Sequence, residues 1–128
     1  MDIFVPIDAS PASDRALSFA IRLADSYDAE LHVVHISDAE TEATEWVLAD
    51  ARERLSEAGI EPELVITDTI DIRPSARVGK EALRLAKERG AEHIVLGHDE
   101  GTAVDEAILG SAAKTVVRAS DIPVTVVP

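Results

Sequence analysis

The segment from Ile94 to Ser111, IVLGHDEGTAVDEAILGS, holds the densest set of residues that could do chemistry. Apolar Ile94, Val95 and Leu96 stop at Gly97, a polar loop follows, and Gly110-Ser111 opens a helix-like stretch. A buried parallel strand that empties into a glycine loop and a helix N-terminus suits a phosphate. The backbone N–H groups there are unpaired, and the helix dipole favours an anion. Ser111 would offer a hydroxyl and an N–H, or would simply cap its helix. Asp99 and Glu100 sit inside the same loop and oppose an anion. Asp8, at the end of the first apolar run, is placed either to meet a ligand or metal at that edge, or to make a turn.

Other chemistries find less support. His98, Asp99, Glu100 and Asp8 offer donors for a divalent ion, but adjacent residues of one loop rarely all face a single ion, so no metal site is expected. His32 and His35 lie three apart on a strand and face opposite sides. A P-loop would need glycine where Pro74 stands and Ser or Thr where Glu81 stands; GxGxxG and GxSxG are also missing. The loop Asp8-Ala9-Ser10-Pro11 lacks the glycines of a pyrophosphate loop. No histidine–serine or paired-carboxylate set has spacing suited to catalysis, and no enzyme is predicted.

The elements that must position these residues alternate. Apolar runs at Ile3–Ile7, Leu31–Ile36, Glu63–Thr69, His93–Leu96 and Ile122–Val127 read as strands. Between them, helical spacing marks 12–27, with Ser10 as N-cap and Pro11 at the first position. Three further helices are expected over 39–58, 75–89 and 111–119, the first of these with Ala43, Val47, Ala51, Leu55 and Ala58 on its buried face. Trp46, one residue from that stripe, reads as core or dimer packing. His93 reads as structural. The fold class is therefore α/β: one domain over residues 1–128, an open five-stranded parallel sheet with helices on both faces. Ligands collect past the carboxyl ends of such strands where the strand order reverses, and Asp8 and Gly97 both belong to that edge.

Twenty-five acids against twelve bases leave a net charge of −13 on 128 residues. Such an excess repels nucleic acid and anionic lipid. The acids are spread over a chain that is 46% hydrophobic, which describes a charged surface over an ordinary core. We read this balance as adaptation to a salty cytoplasm, where self-repulsion is screened, in preference to the alternative of an ordinary acidic soluble protein. There are no cysteines. No apolar run reaches the ~20 residues of a membrane span, and MDIFVPIDAS has no basic leader, so a cytoplasmic protein is expected.

With these residues in place the chain resembles the universal stress proteins over its full length, from FVPID at 4–8 to IPVTVVP at 122–128. The signature of the nucleotide-binding members is Gly, two residues, Gly, nine residues, then Gly-Ser or Gly-Thr. Gly97 and Gly110-Ser111 match at the correct total spacing; the middle position is Glu100, and Gly101 lies one residue late. Before the third helix a glycine-containing turn is usual, whereas this chain has Arg73-Pro74-Ser75-Ala76-Arg77.

The resemblance implies the fold read above and a site for ATP or AMP with Mg²⁺. Gly97, Gly101, Gly110 and Ser111 would hold the phosphates, Asp8 would meet ribose or phosphate, and the Ile36 backbone would read the adenine edge. It implies a homodimer formed through the last strand, 122–127, and a stress response signalled by occupancy of the 97–111 loop. The alternative is a nucleotide-free dimeric interaction module, favoured by Glu100 at the middle motif position. A phosphoacceptor receiver domain is set aside: Asp8 is followed by Ala9, and the chain carries no lysine after the last strand.

Overall fold

The structure, a computed structural model, describes residues 1–67, 74–98 and 111–128, with side chains described except at 74–76 and 111. Among the described residues nine elements alternate. They are β1 (Asp2–Ile7), α1 (Pro11–Tyr27), β2 (Glu30–Ser37), α2 (Glu42–Leu55), β3 (Glu63–Ile66), α3 (Pro74–Glu88), β4 (His93–Gly97), α4 (Ser111–Ala119) and β5 (Val124–Val127). The strands form one sheet in the order β3-β2-β1-β4-β5, every pairing parallel. The expected α/β architecture is what the chain adopts.

Alternation along the strands divides the core into two layers. Ile3, Val5, Ile7, Leu31, Val33 and Val95 pack with Ala16, Leu17 and Ala20 of α1 and Ala51 and Leu55 of α2. On the other face Phe4, Val34, Ile36, Ile94 and Leu96 meet Ala82, Leu85 and Ala86 of α3 and Ala113 and Val116 of α4. Both faces of the sheet are thus covered, which is why its strands read as continuous apolar runs.

Local capping chemistry sets several boundaries. Ser10 caps α1, its hydroxyl accepting from the Ser13 N–H, and Pro11 takes the first helical position as expected. α1 ends on Asp28 in the left-handed conformation (φ 51°), with its N–H returned to the last turn. α2 starts at Glu42 and not Ala39. The Ser37 hydroxyl bonds both the N–H and the carbonyl of Ala39, and Thr41 with Thr44 forms the capping box. The helix ends at Leu55, short of Ala58.

The buried face of α2 is rotated from the expected stripe. Thr44, Leu48, Ala51 and Leu55 are inside, while Ala43 and Ala58 are exposed. Trp46 follows that rotation outward and is 70% exposed, so it is not a core residue. β5 begins at Val124, after Pro123, because the Ser120 hydroxyl holds both backbone groups of Ile122 in a turn. β3 ends at Ile66; Asp68 and Thr69 lie outside the described residues. Among the described residues no helix is long and apolar enough to cross a membrane.

His93 is structural, as its place at the start of a strand suggests. Its Nε2 shares a 2.7 Å hydrogen bond with the Thr125 hydroxyl, joining β4 to β5. Burial holds its imidazole below the usual value near 6.5. The unfolded chain therefore takes up this proton more readily than the fold does. The stability involved is present above about pH 6.5 and is lost as pH falls toward the folded value. Melting curves between pH 7 and 5 should accordingly flatten in His93→Gln relative to the parent protein.

Candidate functional site at the carboxyl edge

Because every pairing is parallel, the strands finish at one edge of the sheet, and the helix that follows each strand starts there. β1 lies between β2 and β4, so the chain winds outward in one direction through β2 and β3 and in the other through β4 and β5. The order reverses between β1 and β4. Asp8 follows the first of these strands and Gly97 ends the second, which brings the two predicted residues to the same crevice. Ser111 is the first residue of α4 and begins that helix on the same edge. Gly101 and Gly110 lie outside the described residues, as do Asp99 and Glu100.

The turn from β1 into α1 is tightly built. The Asp8 carboxylate accepts the Ser10 N–H at 2.7 Å, and the Asp8 N–H donates to the Ser13 hydroxyl at 2.9 Å. Asp8 is thus a turn residue, while its side chain remains exposed at the edge. Ser13 is almost fully buried and carries this geometry, a role that sequence reasoning does not assign to it. The available signal is a serine three residues after the N-cap, on the face that Ala16 and Ala20 bury.

Gly97 has a packing reason of its own. A Cβ there would stand 2.5 Å from the Ala12 carbonyl carbon and 2.6 Å from the Ser13 nitrogen. Only a glycine lets the end of β4 pass so close to the first turn of α1. The His98 N–H donates to the Val127 carbonyl at 2.7 Å, so the end of β4 is held from β5 as well. Gly79, on α3, also permits a close approach. A Cβ on it would lie 2.7 Å from the Thr115 Cβ, where α3 meets α4.

Ile36 is buried in the α3/α4 layer. Its strand stays paired with β3 through Ser37, whereas the register with β1 stops at His35. Ile36 and Ser37 therefore run past the last paired residue of β1 toward the crevice. The His35 ring, on the opposite face from Ile36, donates its Nδ1–H to the Ile7 carbonyl at 2.8 Å. Arg77, in the first turn of α3, is mostly buried and faces Asp38 at 3.8 Å just beyond β2. A guanidinium and the N-termini of α1 and α4 therefore add positive potential to this edge, against the carboxylates of Asp8 and Asp38.

A separate open groove of about 350 Å³ runs along α1 between Arg22, Phe19, Arg54 and Val127. Two of its arginines are engaged: Arg54 with Asp14 and Asp50, and Arg15 with the Pro128 carbonyl.

Doubly wound sheet, reversal of order at β1 and β4, and helix N-termini gathered at that crevice define the class of small doubly wound α/β domains. The profile described as the universal stress protein family matches residues 1–128, and the chain belongs to that family. Universal stress protein YxiE of Bacillus subtilis is 26% identical, over 98% of this chain and 97% of its own. A universal stress protein from Archaeoglobus fulgidus in complex with dAMP superposes with a TM-score of 0.74. It is 22% identical and covers 100% of this chain and 98% of its own. A universal stress protein in complex with cAMP gives the same TM-score at 24% identity, covering 100% and 97%. At these identities the two solved structures establish likeness of fold.

Proposed function

We propose that this protein is a regulatory universal stress protein that binds an adenine nucleotide, ATP or AMP with Mg²⁺, at its carboxyl edge. The observation that carries the reading is the convergence of Asp8, Gly97 and the start of α4 at Ser111 on the crevice where the strand order reverses. The complexes of related folds with dAMP and cAMP support the same ligand class. In this reading the phosphates lie against Gly97, Gly101, Gly110 and Ser111. The base lies over Ile36, whose strand outruns β1, and the ribose lies near the exposed Asp8 carboxylate. Asp99 would be the residue to hold Mg²⁺, which would supply positive charge against the phosphates.

The protein works by occupancy and not by turnover: nucleotide changes the surface offered to partners. The proposed assembly is a homodimer through β5. That strand is an edge of the sheet, paired on one side by β4, and such an edge invites pairing with a second copy. The acidic surface suits a salt-rich cytoplasm.

The test is a thermal-shift titration with Mg-ATP in about 1 M KCl, with GTP as the comparison. Ligand at 100 times its dissociation constant adds about 2.7 kcal/mol, a rise of several degrees for a domain of this size. A saturating, adenine-selective rise is expected. No shift up to millimolar ATP would overturn the reading in favour of a nucleotide-free interaction module, the alternative that Glu100 favours. Glu100→Gly separates the two further: it restores the middle glycine of the motif and should strengthen ATP binding about tenfold or more, by removing a carboxylate beside the phosphates. An unchanged affinity would mean that Glu100 does not face the ligand.

A further inference from the structure

The opposite edge of the sheet carries a second cluster with its own chemistry. Asp2 and Glu30 are register partners on β1 and β2, and His32 stands two residues further along β2, on the face of Glu30. One donor atom from each of the three side chains lies within 4.8 Å of the others. His32 Nε2–H donates to Asp2 Oδ1 at 2.9 Å. We propose that Asp2, Glu30 and His32 form a site for a borderline divalent transition-metal ion, of which Zn²⁺ is the type, at the amino edge of the sheet.

What makes the cluster a ligand set is that one imidazole nitrogen and two carboxylate oxygens already lie within 4.8 Å of one another. Two donors each ~2.1 Å from a tetrahedral ion stand about 3.4 Å apart, about half an ångström more than the present contact of 2.9 Å. Binding releases the bridging proton to solvent, and the Asp2 carboxylate swings off the His32 N–H axis to admit the ion. Glu30 is exposed and has the reach to supply the third oxygen, and water fills what remains.

Both strands are anchored where the ligands leave them. The Glu30 N–H donates to the Met1 carbonyl at 2.8 Å, and the Glu92 N–H donates to the Asp2 carbonyl at 2.8 Å. His32 and Asp2 are part-buried, which limits the side-chain freedom lost on binding. One imidazole with two carboxylates selects Zn²⁺, Co²⁺ or Mn²⁺ over Mg²⁺ and Ca²⁺, which take oxygen sets. This site lies across the sheet from the proposed nucleotide edge, so it stands whether or not nucleotide binds.

Isothermal titration of the full chain with ZnCl₂, without nucleotide and in about 1 M KCl near pH 7, tests it. The salt screens diffuse attraction of cations to a surface of net charge −13. One saturable Zn²⁺ per chain is expected, with no saturable binding of MgCl₂. His32→Gln and Asp2→Asn should each weaken Zn²⁺ by about tenfold or more, in proteins whose melting shows them folded. Asp121→Asn, at a distant exposed acid, should leave the affinity unchanged. Absence of saturable binding up to about 1 mM Zn²⁺, or an affinity that survives His32→Gln, overturns the proposal.

Discussion

Gly97→Ala is expected to lower the stability of the fold by about 2–3 kcal/mol, through overpacking against a rigid neighbour. The added methyl would meet the Ala12 carbonyl carbon at 2.5 Å and the Ser13 nitrogen at 2.6 Å. Both are backbone atoms in the first turn of α1, so no side-chain rotation relieves the contact. That turn cannot move freely either, because Ser10 caps it and the Ser13 hydroxyl holds the Asp8 N–H. Either β4 or the start of α1 must shift, and both border the crevice. Urea unfolding is the measurement, together with a fall in Tm of roughly 10 °C. A variant as stable as the parent would mean that β4 does not approach α1 this closely. The same geometry bears on any binding experiment at this position: loss of nucleotide affinity in Gly97→Ala reports displacement of the edge as much as loss of a phosphate contact.

Phe4→Ala should cost more, about 3–5 kcal/mol, the usual range for emptying a buried aromatic site. Phe4 is fully buried on the central strand, with β2 on one side and β4 on the other. Its ring is in the layer that Val34, Ile94, Ala86 and Val116 share. Three strands and two helices border the void, and the parallel ladder prevents the strands from closing over it. The unfolding midpoint should fall with an unchanged denaturant slope, since the surface exposed on unfolding stays nearly the same. A loss below about 1 kcal/mol would mean that α3 and α4 collapse into the gap, and hence that this layer is loosely packed.

Much of the architecture is legible in the sequence because period and punctuation agree. Continuous apolar runs alternate with amphipathic stretches, Ser10-Pro11 opens α1, and Gly90 closes α3 in the left-handed conformation (φ 66°). α2 is less legible. Its residues include alanines on several faces, so spacing alone admits a stripe through Ala43 and Val47. The Thr41–Thr44 capping box and the helix's seat on the sheet choose Thr44 and Leu48 instead, and put Trp46 in solvent. Ser13 escapes notice because a serine in an alanine stripe carries no periodic signal; its worth lies in a hydrogen bond to a residue outside its helix. The trio of Asp2, Glu30 and His32 is similarly invisible along the chain, because Asp2 and His32 are separated by thirty positions.

By itself the sequence determined the α/β class, the order of the elements and the family resemblance, since periodicity, caps and motif spacing are local properties of the chain. It also placed Asp8 and Gly97 at strand ends. Tertiary structure decided what those strand ends meet. The strand order β3-β2-β1-β4-β5 sets Asp8 and Gly97 on either side of one crevice and Asp2 beside Glu30 at the opposite edge. The close passage of β4 over α1 is what makes residue 97 a glycine whether or not phosphate is bound. Strand order and helix approach are contacts between distant segments, settled by which faces bury together, and no local pattern encodes them.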